Sequence, residues 1–217
     1  KGSIVSGFKY TKAEGSILQA PKHLVIGNKD YLVFTLENGD LKILNRVGNV
    51  RTKVNQKIDF SQNEVHLYKN KFVLTDKKGV LHQIAANGKS NTTNLRLNED
   101  HGIDATSKTF VYMNDNVLSI KGKKIELDFG VYTQPKIFYI YDKIYVGVTD
   151  IQNQKVYLFD SQAVPIKNFP VFGSSLIDMS DMENDRKLEI VVKDHENSII
   201  IYQMNWLLNF QLYLILS

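Results

Sequence analysis

The chain has no cysteine among its 217 residues, which excludes disulfides, thiolate catalysis and cysteine-ligated zinc together. Proline is scarce, with four residues, and there is a single tryptophan. Charge of one sign is also in short supply: 27 Lys and Arg stand against 23 Asp and Glu. The lysines are spread out, with only short pairs such as Lys77-Lys78 and Lys123-Lys124, so no nucleic-acid footprint is expected. No run reaches the roughly 20 apolar residues of a membrane span. The richest, Trp206 to Leu216, holds nine large apolar residues in eleven positions. Joining it to "IIIYQM" would put Gln203, Asn205, Asn209 and Gln211 in hydrocarbon. No transmembrane span is therefore expected, and residues 205–217 read as an atypical apolar tail: a packed terminal strand or helix, or a segment foreign to the fold. The opening "KGSIVSGFKY" has no charged and apolar leader and reads as a cut inside a longer protein.

What is present is ordinary globular material, 43% hydrophobic and 23% charged, organised as a repeat. The unit is an apolar strand, a polar turn, a second apolar strand and another turn. "YLVFTLENGDLKILNRVGN" turns at Asn38-Gly39 and Gly48, and "KFVLTDKKGVLHQIAANGK" at Lys78-Gly79 and Asn87-Gly88. In both, the turn glycines lie nine residues apart. Looser copies follow in "TFVYMNDNVLSIKGKKIEL", "KIYVGVTDIQNQKVYLFDSQAVPI" and "LEIVVKDHENSIIIYQM". From Gly39 through Gly79, Asn116, Asn153 and Asn197 the first turns step by 40, 37, 37 and 44 residues.

Short runs rich in Val, Ile, Tyr and Phe, bounded by Gly, Asn and Asp, are strands. Asn-Gly supplies the positive φ angles of a tight hairpin turn without steric penalty. A period near forty with several strands per unit is the mark of a propeller blade. The expectation is an all-β chain, a β-propeller or propeller fragment of about five blades, each a four-stranded antiparallel sheet, over residues 1–204. Innermost strands are placed near 17–25, 64–69, 102–107, 135–141 and 174–179. The fifth unit lacks an outer strand after "IIIYQM". The segment "IVSGFKY" either supplies that strand or belongs to a further blade of a larger propeller.

The phrases "APKHLVIGNKDYLVFTLENGDLKILNRVGNVR", "DKKGVLHQIAANGK", "HGIDAT", "IKGKKIELDFGVYTQPKIFYI", "KVYLFDSQAVPIKNFPVFG" and "DMENDRKLEIVVK" resemble, over about residues 1–204, the C-terminal part of a family of long flavobacterial and Bacteroidetes proteins with propeller-like repeats. Members often carry the label ribonuclease H type II. That label is not carried over. A two-metal nuclease needs several converging carboxylates, and the sequence shows no ribonuclease H order of strands and helices. The blade-entry phrase also resembles quinoprotein-like (PQQ) and FG-GAP or VCBS repeats, in which a D-x-D-x-D-G loop precedes a strand. The resemblance puts Asp181, Glu183 and Asp185 at the loop acids and Glu189 at the closing acid, implying calcium. Glu183 replaces the middle Asp, and Arg186 stands where the family keeps glycine. Calcium takes six to eight oxygens; the competing expectation is a solvated polar turn.

Other chemistry is thin. His23, His66, His82, His101 and His195 show no ligand spacing and read as surface or loop residues. No nucleophile elbow, Walker loop or dinucleotide fingerprint occurs. Asp104 in "HGIDAT" and Asp178 in "SLIDMSD" lie near innermost strands, where propeller hydrolases gather acids; the plainer expectation is an acid bonded to turn backbone. In "IFYIYDKIYVGV", Phe138 and Ile140 share one face, with Ile137, Tyr139 and Tyr141 on the other, which marks sheet packing first and a carbohydrate or peptide platform second. Asn91 in "NTT" is a formal glycosylation sequon, expected to be silent. The functional expectation is a non-catalytic binding or scaffold module with a protein or glycan partner and no certain cofactor, in the cell envelope or outside the cell. The alternative is a channel-centred hydrolase or quinoprotein-like enzyme.

Overall fold

The computed structural model describes residues 2–3, 5–195 and 197–204, and the backbone of 211–214. All regular structure among these residues is β. The strands form five four-stranded antiparallel sheets in which each strand pairs with the next in sequence. The first sheet is β1 (Lys22–Ile26), β2 (Lys29–Thr35), β3 (Leu41–Leu44) and β4 (Val50–Thr52). The second is β5 (His66–Tyr68), β6 (Lys71–Thr75), β7 (Val80–Ala85) and β8 (Ser90–Asn94). The third is β9 (Gly102–Ala105), β10 (Phe110–Asn114), β11 (Val117–Ile120) and β12 (Lys123–Glu126). The fourth is β13 (Lys136–Ile140), β14 (Lys143–Asp150), β15 (Lys155–Asp160) and β16 (Val171–Phe172). The fifth is β17 (Asp178–Ser180), β18 (Leu188–Lys193), β19 (Ile199–Met204) and β20 (Gln211–Leu214). Each expected innermost strand thus corresponds to an observed one.

The hairpins explain the glycine spacing, with one revision. Leu36 N–H donates to Asp40 O at 2.9 Å, and Gly39 N–H to Leu36 O at 2.9 Å. Only Gly39 is left-handed, at φ +85°. This is a three-residue loop, a type I turn closed by a left-handed residue, so of the Asn-Gly pair expected to supply positive φ angles only the glycine does. The same bonds recur at Asn45 to Asn49, Asp76 to Val80 and Ala85 to Lys89, with Gly48, Gly79 and Gly88 left-handed. The fourth unit repeats the loop at Asp160 to Val164 with Ala163 at φ +62°.

The chain divides into two compact units, Lys1–Asp100 with Ala105–Lys108, and His101–Asp104 with Thr109–Ser217. In the first, Tyr31, Val33 and Ile43 of one sheet pack on Phe72, Leu74 and Ile84 of the next. The opposite face of the first sheet, Leu32, Phe34 and Leu44, is covered by Phe8, Tyr10 and Ala13. In the second unit, β14 is buried without a break from Tyr145 to Asp150, because its sheet is covered on both faces. Val146 and Val148 meet Val111 and Leu118 of the third sheet, and Tyr145 meets Leu188 and Ile190 of the fifth. Strand alternation sends successive side chains to opposite faces, so a doubly covered strand loses its polar half.

The segment "IVSGFKY" does not supply the outer strand of the fifth sheet. Its described residues form no strand; Lys9 N–H donates to Val47 O at 3.0 Å, holding the segment on the first sheet. The outer place of the fifth sheet is filled by β20, pairing Gln203 with Gln211 through Ile200 with Leu214. The remainder of the tail, 205–210 and 215–217, lies outside the described residues.

Candidate interaction site

The acidic loop between β17 and β18 takes two left-handed residues, Asn184 at φ +56° and Arg186 at φ +66°. Arg186 thus adopts the backbone that glycine was expected to supply. The first loop acid, Asp181, accepts hydrogen bonds from Arg186 N–H at 2.9 Å, Asp185 N–H at 3.1 Å and the Tyr141 hydroxyl. Its carboxyl is held below the usual range, first by the Tyr141 bond. Asp185 is bonded by Lys187 through its N–H at 2.8 Å and its Nζ at 2.6 Å, which lowers it likewise. The closing acid, Glu189, is buried, accepting Met182 N–H at 2.9 Å and Gln203 Nε2 at 3.1 Å. Glu183 is exposed. Among the described residues no three Asp, Glu or His side chains gather as a metal site. A calcium cage here would have to draw Asp181 and Asp185 away from donors within their own loop and from Tyr141, so the arrangement fits a self-bonded turn better than a cation.

The innermost-strand acids are spent in a similar way, on a neighbouring strand. Asp104 accepts Ile137 N–H of β13 at 2.7 Å. Asp178 pairs with Lys136 of the same strand at 2.9 Å and accepts Met179 N–H at 3.1 Å, and Lys136 holds its carboxyl low. Asp104 therefore ties β9 to β13.

His82 departs from the expectation of a surface or loop residue, since it lies within β7; His101 does lie in a loop, the one before β9, but is buried there. His82 is 9% and His101 1% exposed, so neither is a surface residue. The alternation of β7 turns His82 inward, where Nε2 meets Asp76 at 2.9 Å. His23 and His195 are exposed, and His66 is half-buried.

A different feature stands out on the loop between β12 and β13. Phe129 is 89% exposed, with Val131 at 51% and Ile151, on the β14–β15 turn, at 44%. A loop with so much apolar surface would be expected to fold inward; this one is clamped. Asp150, fully buried, accepts Val131, Gln152 and Asn153 N–H at 3.3, 3.1 and 3.1 Å. Asn153 Nδ2 then donates to Asp150 at 2.6 Å and to Phe129 O at 2.9 Å. Ile151 N–H donates to Val131 O at 2.8 Å. At the loop's foot, Asp128 accepts Lys155 Nζ at 2.8 Å and Tyr157 O–H at 3.1 Å, and these bonds hold its carboxyl low. Tyr132 donates to Asp128 O at 2.7 Å, and burial pushes its phenol above the usual range.

No family model matches the chain, and no curated protein is similar to it in sequence. Solved structures are similar in fold. BamB from Moraxella catarrhalis superposes with a TM-score of 0.63 over 88% of this chain, at 12% identity. The fold is a β-propeller. The dihydro-heme d1 dehydrogenase NirN follows at TM-score 0.54 over 84% of the chain and 12% identity. PorZ, a surface component of the type-IX secretion system of Porphyromonas gingivalis, follows at 0.50 over 90% and 10% identity. The chain spans 62% of BamB, 45% of NirN and 26% of PorZ, and at these identities the likeness concerns the propeller fold alone. No helix among the described residues is long and apolar enough to cross a membrane.

Sequence reasoning missed the apolar surface because "LDFGVYT" looks like one more core strand. The available signal was Gly130 between two large apolar residues, a position where a strand would be weakened.

Proposed function

We propose that this propeller is a non-catalytic binding module whose partner is a protein, working in a bacterial envelope setting. The observation that carries the reading is the contrast between its carboxylates and its apolar loop. Asp104, Asp178, Asp181, Asp185 and Glu189 are each occupied by donors of the fold itself. An enzyme of the channel-centred kind needs an acid poised toward substrate. Phe129, Val131 and Ile151 instead present apolar side chains to solvent from a loop held by Asp150. A rigid aromatic anchor beside smaller apolar contacts is the makeup of a binding hot spot, and it loses little conformational freedom on binding. PorZ supports the envelope setting through its surface location; the dehydrogenase NirN shows that the fold also carries enzymes.

The test places a photo-crosslinking side chain at position 129 and, as control, at exposed Glu37. A discrete adduct from 129 alone, abolished by Val131→Asp, is the expected result. Equal labelling at both positions, or hydrolysis of a glycoside that disappears with Asp104→Asn or Asp178→Asn, overturns the reading.

A further inference from the structure

The outermost strand of every blade has one unpaired backbone edge, and natural sheets blunt such edges with charges, bulges, proline or shortness. The outer strands β4, β12 and β16 are each blunted in one of these ways. β4 has three residues, Arg51 at its centre and a register shift in its pairing with β3. β12 carries Lys123, Lys124 and Glu126 in four residues. β16 has two residues. β8 has none of these protections. Its five residues, Ser-Asn-Thr-Thr-Asn, are uncharged and all exposed, and they pair with β7 in unbroken register from Ser90–Ile84 to Asn94–Val80.

Its ends are hydrogen-bonded to neighbouring segments and flanked by cationic residues. Asn94 Oδ1 accepts Arg96 N–H at 2.9 Å, and Leu95 N–H donates to Gly79 O at 3.2 Å. At the other end Ser90 Oγ donates to Gln56 at 3.2 Å. Lys53 and Lys89 are exposed at the Ser90 end, and Lys78 and Arg96 at the Asn94 end. Gly88 approaches the Lys53 carbonyl and Gly79 the Leu97 backbone too closely for a β-carbon at either position.

We infer that β8 is a docking edge for an extended, acidic segment of a partner protein, which adds to the second sheet as a fifth strand. Main-chain bonds to the outward-facing groups of β8 provide the pairing, about four to six of them if the added strand is antiparallel. Carboxylates at the two ends of the segment meet Lys89 and Arg96, fixing its register over about five to seven residues. Asn91 and Thr93 on one face, with Ser90, Thr92 and Asn94 on the other, are small enough to admit most side chains beside them. This surface is distinct from the Phe129 loop, and the inference stands or falls without it.

The experiment uses the full chain and two synthetic peptides, Glu-Glu-Thr-Val-Thr-Val-Glu-Glu and its counterpart with lysine at every glutamate. Amide hydrogen exchange is read residue by residue. With the acidic peptide at millimolar concentration, amides of β8 are expected to slow at least tenfold while those of β12 are unchanged. The lysine peptide leaves β8 unprotected, and Lys89→Glu with Arg96→Glu reverses the preference. The inference is overturned by absence of β8 protection with the acidic peptide, by equal protection with both peptides, or by protection that rises with protein concentration alone, which would make the occupant a second copy of the chain.

Discussion

The Asp150 carboxylate lies directly over Gly130, so that any β-carbon at position 130 would overlap it. The overlapped group cannot swing aside freely, because it accepts three backbone N–H groups and the Asn153 amide in a fully buried place. Gly130→Ala is therefore expected to cost about 1–3 kcal/mol, the scale of leaving buried donors unmet. Thermal unfolding should shift down by roughly 2–4 °C per kcal/mol for a chain of this size. Crosslinking from position 129 should weaken in the same variant, because the loop that presents Phe129 loses its clamp. An unchanged midpoint would mean that the loop absorbs the methyl group.

Asp76 and His82 give a pH dependence with a definite sign. Burial alone would raise the Asp76 carboxyl, but the His82 bond and the Val80 and Lys78 amides outweigh it and hold it below its ordinary value. A depressed folded-state pKa contributes stability that is present above the unfolded pKa of about 4 and is lost as pH falls through the lower folded value. Urea unfolding at pH 7, 5, 4 and 3 should therefore show stability falling below about pH 4. Asp76→Asn should be less stable at neutral pH by about 1–3 kcal/mol and show a shallower acid decline. Parallel pH curves for the two proteins would remove Asp76 from the account.

Gly48 does two jobs at once, and the same substitution tests both. It sits at φ +83°, and a β-carbon there would approach Tyr10 N to 2.6 Å and Lys9 N to 2.9 Å. Gly48→Ala should cost about 1–2 kcal/mol from the left-handed backbone, and more if the N-terminal segment keeps its place. Limited proteolysis separates the outcomes: cleavage at Lys9 or Lys12 should accelerate, because Phe8 and Tyr10 leave the face formed by Phe34 and Leu44. The control is Gly27→Ala, also left-handed at φ +61° but with nothing near its β-carbon; it should lower stability without exposing the segment.

Much of this propeller was legible in its sequence because hairpins are local. Gly39, Gly48, Gly79 and Gly88 announced their turns, since a left-handed backbone is a property that glycine alone supplies without strain. The type of turn was not legible: Asn38 in the right-handed region and Asn38 in the left-handed region are spelled the same way. Ala163 at φ +62° hid the matching turn of the fourth unit, its strain borne by packing against Val146 and Phe159. The site was less legible than the fold. Whether Asp181 faces a cation or Tyr141 depends on a residue forty positions away, and no spacing rule spans that distance. Phe129 was hidden for the converse reason, because exposure of an aromatic residue is decided by the bonds around Asp150 and Asn153 and not by its own neighbours in sequence.

Tyr141 and the acidic loop decide the question of calcium. If the loop were a calcium cage of the weak affinity usual in extracellular modules, with a dissociation constant of about 0.1–1 mM, then 5 mM calcium would add about 1–2 kcal/mol. Asp181 and Asp185 are instead engaged by Tyr141, Lys187 and loop amides, and an ion would first have to displace those donors. The expected outcome is a thermal midpoint that moves by less than about 1 °C between 5 mM calcium and excess chelator, below the shift such binding would give. Tyr141→Phe sharpens the comparison. It removes the hydroxyl that holds the Asp181 carboxyl low and leaves Oδ2 with the Arg186 N–H as its remaining donor, so any latent calcium affinity should appear first in this variant. A calcium-dependent rise in the variant alone would show that Tyr141 competes with the ion. A rise of several degrees in the unaltered protein would show that the loop re-forms around the ion, with Asp181, Glu183, Asp185 and Glu189 as its ligands, and would return the metal reading to first place.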